Sequence, residues 1–479
     1  MRDLVEVDRF TRRCHTPGRA VVEHDDGDDG RDECRDHNGT APRNHGVNDI
    51  RVSKRALASL PMLRATPRWI GIIVPLVAVL GACGRRPAPL FKLLSPRHTG
   101  VTFANTISTN DSVNVQNDVY IYNGAGVAVG DVNNDGLPDL FFSGNMVSSR
   151  LYLNKGNMQF EDITERAGVA TKRWCTGATM VDINNDGFLD IYVSVSGPGG
   201  SKGKDRANLL FINNGDGTFT EQAEKYGIAD TGFTTHAVFL DYDGDGYLDL
   251  FLLNNSPKDF ARGAADTHPL GVKEPSPESW NKLYHNNGNG TFTDVSEKAG
   301  ILRQIGYGLG VVVADVNRDG RPDIYVSNDV APNDALYSNN GDGTFTDKRA
   351  DWLKHTSFAG MGVDVADFNN DGWPDIAQMD MLPASLEQRK RMSGYLTHGG
   401  RIELRRRGFL DDYDANALQL SNGITPNGDI VFSDIATLAG VAATDWSWSA
   451  LLALRHEWLS QSAQRSRLSD GGVRGAPGE

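Results

Sequence analysis

Cysteine is scarce in this chain of 479 residues, with four copies at Cys14, Cys34, Cys83 and Cys175. No two have C-x-x-C spacing, so neither a zinc site nor a dithiol redox motif is expected. Basic charge is short as well: 48 Lys and Arg stand against 62 Asp and Glu, a net charge of −14. That balance excludes the basic face a nucleic-acid partner requires. The apolar run from Trp69 to Leu80 is about a dozen residues, too short for the ~20 that cross a bilayer. Convergent acid–base groups are missing too. His236, His285 and His355 are scattered at expected strand edges, where surface or packing roles are the ordinary ones. No catalytic residue is expected.

Glycine is abundant, with 53 copies, above the usual ~7% and a sign of many tight turns. The chain divides by composition. Residues 1–61 hold ten arginines, one lysine (Lys54) and no hydrophobic periodicity. They read either as an unstructured charged tail or as sequence upstream of a true start at Met62, and the stretch after Met62 favours the second. Residues 62–83 give a positive start (Arg64, Arg68), an apolar core broken by Pro75, and Leu-Gly-Ala before Cys83, the layout of a signal segment. The ending resembles a bacterial lipobox, which implies cleavage before Cys83 and lipidation of its thiol. The expected location is then extracytoplasmic, anchored to a membrane through lipid only. Two cysteines, Cys83 and Cys175, would remain, and no internal disulfide. Residues 84–92 read as a Pro-containing tether.

From residue 93 to 453 a nine-residue pattern, D-x-[DN]-x-D-G-x-x-D, occurs five times. Its polar positions are Asp131, Asn133, Asp135 and Asp139; Asp182, Asn184, Asp186 and Asp190; Asp241, Asp243, Asp245 and Asp249; Asp315, Asn317, Asp319 and Asp323; Asp367, Asn369, Asp371 and Asp375. Copies start 51, 59, 74 and 52 residues apart, a period typical of propellers and other repeat arrays. Oxygen side chains at positions 1, 3 and 5, a turn-making Gly at 6, a carbonyl at 7 and a carboxylate at 9 suit one hard cation, Ca²⁺. An EF-hand would add Glu at position 12, where this chain has Phe142, Val193, Leu252, Val326 and Gln378. Strand-like flanks predict a β–loop–β hairpin instead. The loops carry sixteen aspartates, whose crowding is unfavourable without a cation.

A second element alternates with the first: Leu151-Tyr-Leu-Asn154, then Leu210-Phe-Ile-Asn213, Leu283-Tyr-His-Asn286 and Leu336-Tyr-Ser-Asn339, the last three followed by N-G-[DN]-G-T-F. The Asn-Gly turn predicts a hairpin, in which Asp216, Asn289 and Asp342 shape the turn. One unit thus supplies four strands, and apolar runs such as Leu250–Leu253 and Ile191–Val193 suit sheets covered on both faces.

These loops and hairpins resemble FG-GAP/VCBS repeats, the type of integrin α-chain propellers. Tyr122–Asp131 and Ala439–Trp448 are similar to the cartilage-acidic-protein-like branch associated with ASPIC/UnbV regions. The resemblance implies an all-β propeller of four-stranded blades, five of them recognisable in a ring left incomplete, with structural calcium at the quoted positions. It implies an extracellular binding or adhesion scaffold, non-catalytic, whose protein or glycan ligand the residues do not name. Two alternatives stand beside it: a propeller-based enzyme acting on polysaccharide or a quinone-linked substrate, and a truncated, non-functional product.

Two departures bear on the ring. Residues 380–415 interrupt the fifth unit with an expected helix (Ala384–Met392) and the basic run Arg405–Arg407. A sixth loop is due after Ala453, yet residues 454–479 read as a patternless tail, as a frameshift or truncation would leave. Residues 93–104 resemble the outer hairpin of a unit without its inner half. Trp446 and Trp448 alternate as if along one strand.

Overall fold

The computed structural model describes residues 92–452, except 199–200, 256–275, 302–305, 331–332, 393–397, 407 and 427. The expected signal segment with Cys83, the segments on either side of it, Arg407 and the tail 454–479 lie outside the described residues.

Each nine-residue loop joins two antiparallel strands, and each Asn-Gly turn joins two more. The first sheet comprises β1 (Val127–Gly130), β2 (Asp139–Phe142), β3 (Arg150–Asn154) and β4 (Phe160–Asp162), in sequential order. The second has β5 (Cys175–Val181), β6 (Asp190–Val195), β7 (Leu209–Asn213) and β8 (Phe219–Glu221). The third has β9 (Thr234–Leu240), β10 (Asp249–Asn254), β11 (Lys282–Asn286) and β12 (Phe292–Asp294). The fourth has β13 (Gly308–Ala314), β14 (Asp323–Asn328), β15 (Ala335–Asn339) and β16 (Phe345–Asp347). A two-stranded parallel pair, β17 (Thr356–Ser357) and β20 (Asp412–Tyr413), lies beside the fifth sheet, built from β18 (Val363–Ala366), β19 (Asp375–Gln378), β21 (Ala417–Ile424) and β22 (Ile430–Asp434).

Successive sheets meet through their first strands, β1 on β5, β5 on β9, β9 on β13 and β13 on β18, the radial arrangement of a propeller. Strands β6, β10 and β14 are buried at every residue, because a neighbouring sheet covers each face. Ala128, Phe141, Ala178 and Ile191 share one intersheet core, and Val181, Ala237, Leu250 and Tyr192 the next. Among the described residues no neighbouring sheet covers one face of the first sheet. Val127 and Val129 are 54% and 60% exposed, whereas Ala178 and Met180, at the same loop offset in the second sheet, pack into the first core.

The rest of the chain departs from expectation at several places. Residues 93–104 form no strand. Pro96–Thr99 is a helical turn ending in left-handed Gly100, which packs on the carbonyl of Phe160 as Gly168 does on that of Phe219. The segment is thus the closing turn of a unit, and Phe103 stacks on Phe142 at 5.2 Å. The insertion carries two helices. The first runs Leu386–Met392, two residues shorter than predicted, because the Ser385 hydroxyl caps it through Gln388 N–H and Ala384 N–H bonds Asp445. The second, His398–Arg406, takes in Arg405 and Arg406 of the basic run, and Arg405 clasps Asp411 through both carboxylate oxygens. Trp446 and Trp448 lie in no strand, but the chain there runs beside β18, with Gly362 N–H donating to Trp448 O.

The junction of the fourth and fifth sheets is polar. Asp334 accepts Asn328 N–H, Tyr325 Oη–H and Gln378 Nε2–H at 2.8, 3.0 and 2.8 Å. Asp412 accepts Asn333 Nδ2–H at 2.6 Å and the Thr356 hydroxyl. Burial pushes Asp329, Asp334 and Asp412 up to about 7. The folded chain therefore keeps protons that the unfolded chain releases near pH 4. The stability these groups contribute is full below that point and is lost as pH rises through 7, at up to ~1.4 kcal/mol per pH unit for each. With calcium in excess, the denaturant midpoint is expected to fall between roughly pH 5 and pH 8. Asp412→Asn should flatten that slope, and an unchanged slope would contradict the assignment.

Candidate metal sites

Each loop turns through a left-handed residue at position 4 (φ 57° at Asn134, 59° at Asn185, 78° at Gly244, 58° at Arg318, 60° at Asn370) and a glycine at position 6. Gly136 to Gly372 hold φ between 84° and 89° there, a conformation that costs other L-residues about 1–2 kcal/mol. The turn folds the first carboxylate over the loop: Asp131 accepts Asp135 N–H and Gly136 N–H at 3.1 and 2.7 Å. Asp182, Asp241, Asp315 and Asp367 repeat both bonds. Position 5 accepts the N–H of position 7, as in Asp186 to Phe188 at 2.9 Å. Positions 1, 3 and 5 thus bring hard oxygens together at an exposed turn. In the third loop, with aspartate also at position 3, oxygens of Asp241, Asp243 and Asp245 lie within 4.8 Å of one another. This donor set fits a divalent oxophilic cation.

Position 9 does something the pattern did not disclose. Its carboxylate is buried behind the loop and ties two strands together. Asp190 Oδ2 accepts Ile183 N–H at 3.2 Å and Oδ1 accepts Asn213 N–H at 2.8 Å. Asp139 makes the same pair with Val132 and Asn154, Asp249 with Tyr242 and Asn286, Asp323 with Val316 and Asn339, and Asp375 with Phe368 and Ser421. Burial pushes Asp190, Asp249 and Asp323 up to about 7 and Asp375 to about 6, and the loop's other carboxylates add to the effect. The asparagine of the second element completes the knot. Asn213 Nδ2 donates to Val132 O at 2.8 Å and Asn339 Nδ2 to Tyr242 O at 2.8 Å, so each bridges to the loop of the preceding sheet. In the fifth sheet Ser421 stands at this position and is too short to reach back.

His285 is a second residue that sequence reasoning placed elsewhere. It projects from β11 beside the third loop, with Nδ1 3.3 Å from Asp243 Oδ2 and 3.2 Å from Asp249 Oδ1. The other copies carry Leu153, Ile212 and Ser338 there, so no repeat signal marked it. Asp216, Asn289 and Asp342 act as turn formers: each Oδ1 accepts the N–H and hydroxyl of the threonine two residues on. Cys175 is buried as a free thiol, held above its ordinary range by burial.

Comparison with known proteins gives the same outline. The family described as FG-GAP-like repeat matches residues 131–193, 196–252, 272–326 and 326–377. Cartilage acidic protein 1 of Mus musculus is 28% identical over 285 residues, 52% of this chain and 39% of that protein. The Xenopus tropicalis protein is 26% identical over 273 residues, 52% of this chain and 39% of its own. The chain thus spans about two fifths of the length of the curated relatives it matches. Solved structures align more loosely. An Agrocybe aegerita lectin that recognises non-reducing terminal N-acetylglucosamine covers 67% of this chain and 80% of its own, at 17% identity and a TM-score of 0.30. The V. cholerae biofilm matrix protein Bap1 covers 56% and 36%, at 13% identity and a TM-score of 0.30. Neither superposition is close enough to transfer a ligand. With five four-stranded sheets and five acidic hairpin loops among the described residues, the chain is an FG-GAP repeat protein, similar in sequence to cartilage acidic protein 1.

Proposed function

We propose that this chain is a non-catalytic, calcium-stabilised binding or scaffold protein that works outside the cytoplasm. The observation that carries the reading is the fivefold repetition of one oxygen-rich turn, each placed at the hairpin end of a four-stranded sheet. The position 9 knots already hold the strands, so the cation's part is to neutralise the exposed carboxylates and stiffen the turn. The buried aspartates away from the loops support a structural role. Asp334, Asp380 and Asp412 spend their oxygens on backbone and side-chain donors. An anchor at Cys83 would hold the scaffold at a membrane surface; among the described residues no helix is long and apolar enough to cross one.

A pull-down tests this reading. The immobilised chain in calcium buffer should retain a protein or glycan ligand and release it on addition of EGTA. Retention that ignores the chelator, or turnover of a captured polysaccharide, would contradict it.

A further inference from the structure

A cavity of about 300 Å³ lies where the inner strands converge, at the lower end of the ~300–1,000 Å³ of small-ligand sites. Ala125, Thr176, Thr235 and Leu309, each at or just before the start of an inner strand of the first four sheets, line it, and Ser449 supplies a fifth side from beside β18. Equivalent positions from successive sheets place the cavity on the axis of the array.

Its polar lining includes the Asn123 and Asn255 amides, which can donate as well as accept, and several groups that only accept. The Thr176 hydroxyl donates to Thr234 O at 2.7 Å, and that of Thr235 to Gly308 O at 2.9 Å, so both present lone pairs to the cavity. The Tyr120 hydroxyl gives its proton to Asp329 at 3.1 Å. Asp118, 5% exposed, also lines the cavity; Oδ1 accepts Tyr120 N–H at 3.0 Å. No Lys, Arg or His is among the described lining residues, whereas Tyr120, Trp174 and Trp448 are. An anionic ligand would find no cationic partner here. A neutral sugar would leave the buried Asp118 charge uncompensated, which is costly in a desolvated site. Acceptors, a carboxylate and aromatic rings together suit an organic cation.

We propose that the axial cavity binds an ammonium group, paired with the Asp118 carboxylate beside Tyr120, Trp174 and Trp448. This rests on the reading of the chain as a binding protein and gives that reading a ligand class. The source is either a free amine or a lysine side chain of a partner.

Calorimetry on the calcium-saturated chain tests it, with cadaverine for the free amine, a lysine-containing peptide for the partner and glucose as the neutral control. At least one amine should bind, and Asp118→Asn and Trp448→Ala should each weaken it about tenfold or more. The tighter of the two amines identifies the source. Trp448 is 46% exposed, so its variant keeps the test valid should Asp118→Asn fail to fold. Glucose binding in place of the amines, no binding by either amine, or amine affinity unmoved in folded variants would overturn the proposal. The melting shift on chelation is read separately, so failure of the calcium reading and failure of the amine site remain distinguishable.

Discussion

Adding EGTA to the folded chain is expected to lower its melting temperature steeply, and returning Ca²⁺ to restore it. A ligand that binds only the native state stabilises it by ~2.7 kcal/mol at a hundredfold excess over Kd. Five independent sites would then contribute about 13 kcal/mol, comparable to the whole stability of an ordinary domain. No disulfide offsets that loss among the described residues, where Cys175 is free. Extracellular sites of this chemistry bind in the ~10⁻⁴–10⁻³ M range, so the shift should begin in millimolar calcium and reach that full size only at about 10–100 mM. A melt indifferent to EGTA would leave the loops as plain turns.

Two substitutions in one loop should separate the knot from the cation site. Asp190→Ala removes a fully buried carboxylate and strands the N–H groups of Ile183 and Asn213. At about 1–3 kcal/mol for each unsatisfied group, the loss is about 2–6 kcal/mol, and it is expected with calcium present or absent. Asp186→Ala acts differently. Asp186 is exposed and accepts only from within its own loop, so in EGTA its loss should stay within about 1 kcal/mol. In saturating calcium the same variant forfeits one site, ~2.7 kcal/mol at a hundredfold excess. Denaturant titrations of both variants in the two buffers give the four numbers needed. Equal calcium sensitivity of Asp186→Ala and the parent chain would contradict the assignment.

The architecture was open to reading because its signals repeat. Five copies of one turn flanked by apolar runs already announce hairpins, and the structure places strands at those flanks. The double use of position 9 was not legible, since alternation shows only that Asp190 begins a strand. Whether its oxygens face a cation or the N–H of Asn213 depends on β7, 23 residues on. The asparagines at 154, 213, 286 and 339 were visible as a motif, but the reach of Asn213, Asn286 and Asn339 to the preceding sheet is a property of the packed array. The fifth outer hairpin, β21 and β22, escaped notice for two reasons: Ser421 replaces the asparagine, and the insertion separates this hairpin from its loop. His285 and Asp118 carry no periodic signal at all; only the fold brings each to its neighbours.

Equilibrium dialysis against labelled Ca²⁺ tests the central claim most directly. The account predicts saturable uptake approaching five ions per folded chain, falling by one in Asp186→Ala. No saturable uptake, or uptake that this substitution leaves unchanged, would contradict it.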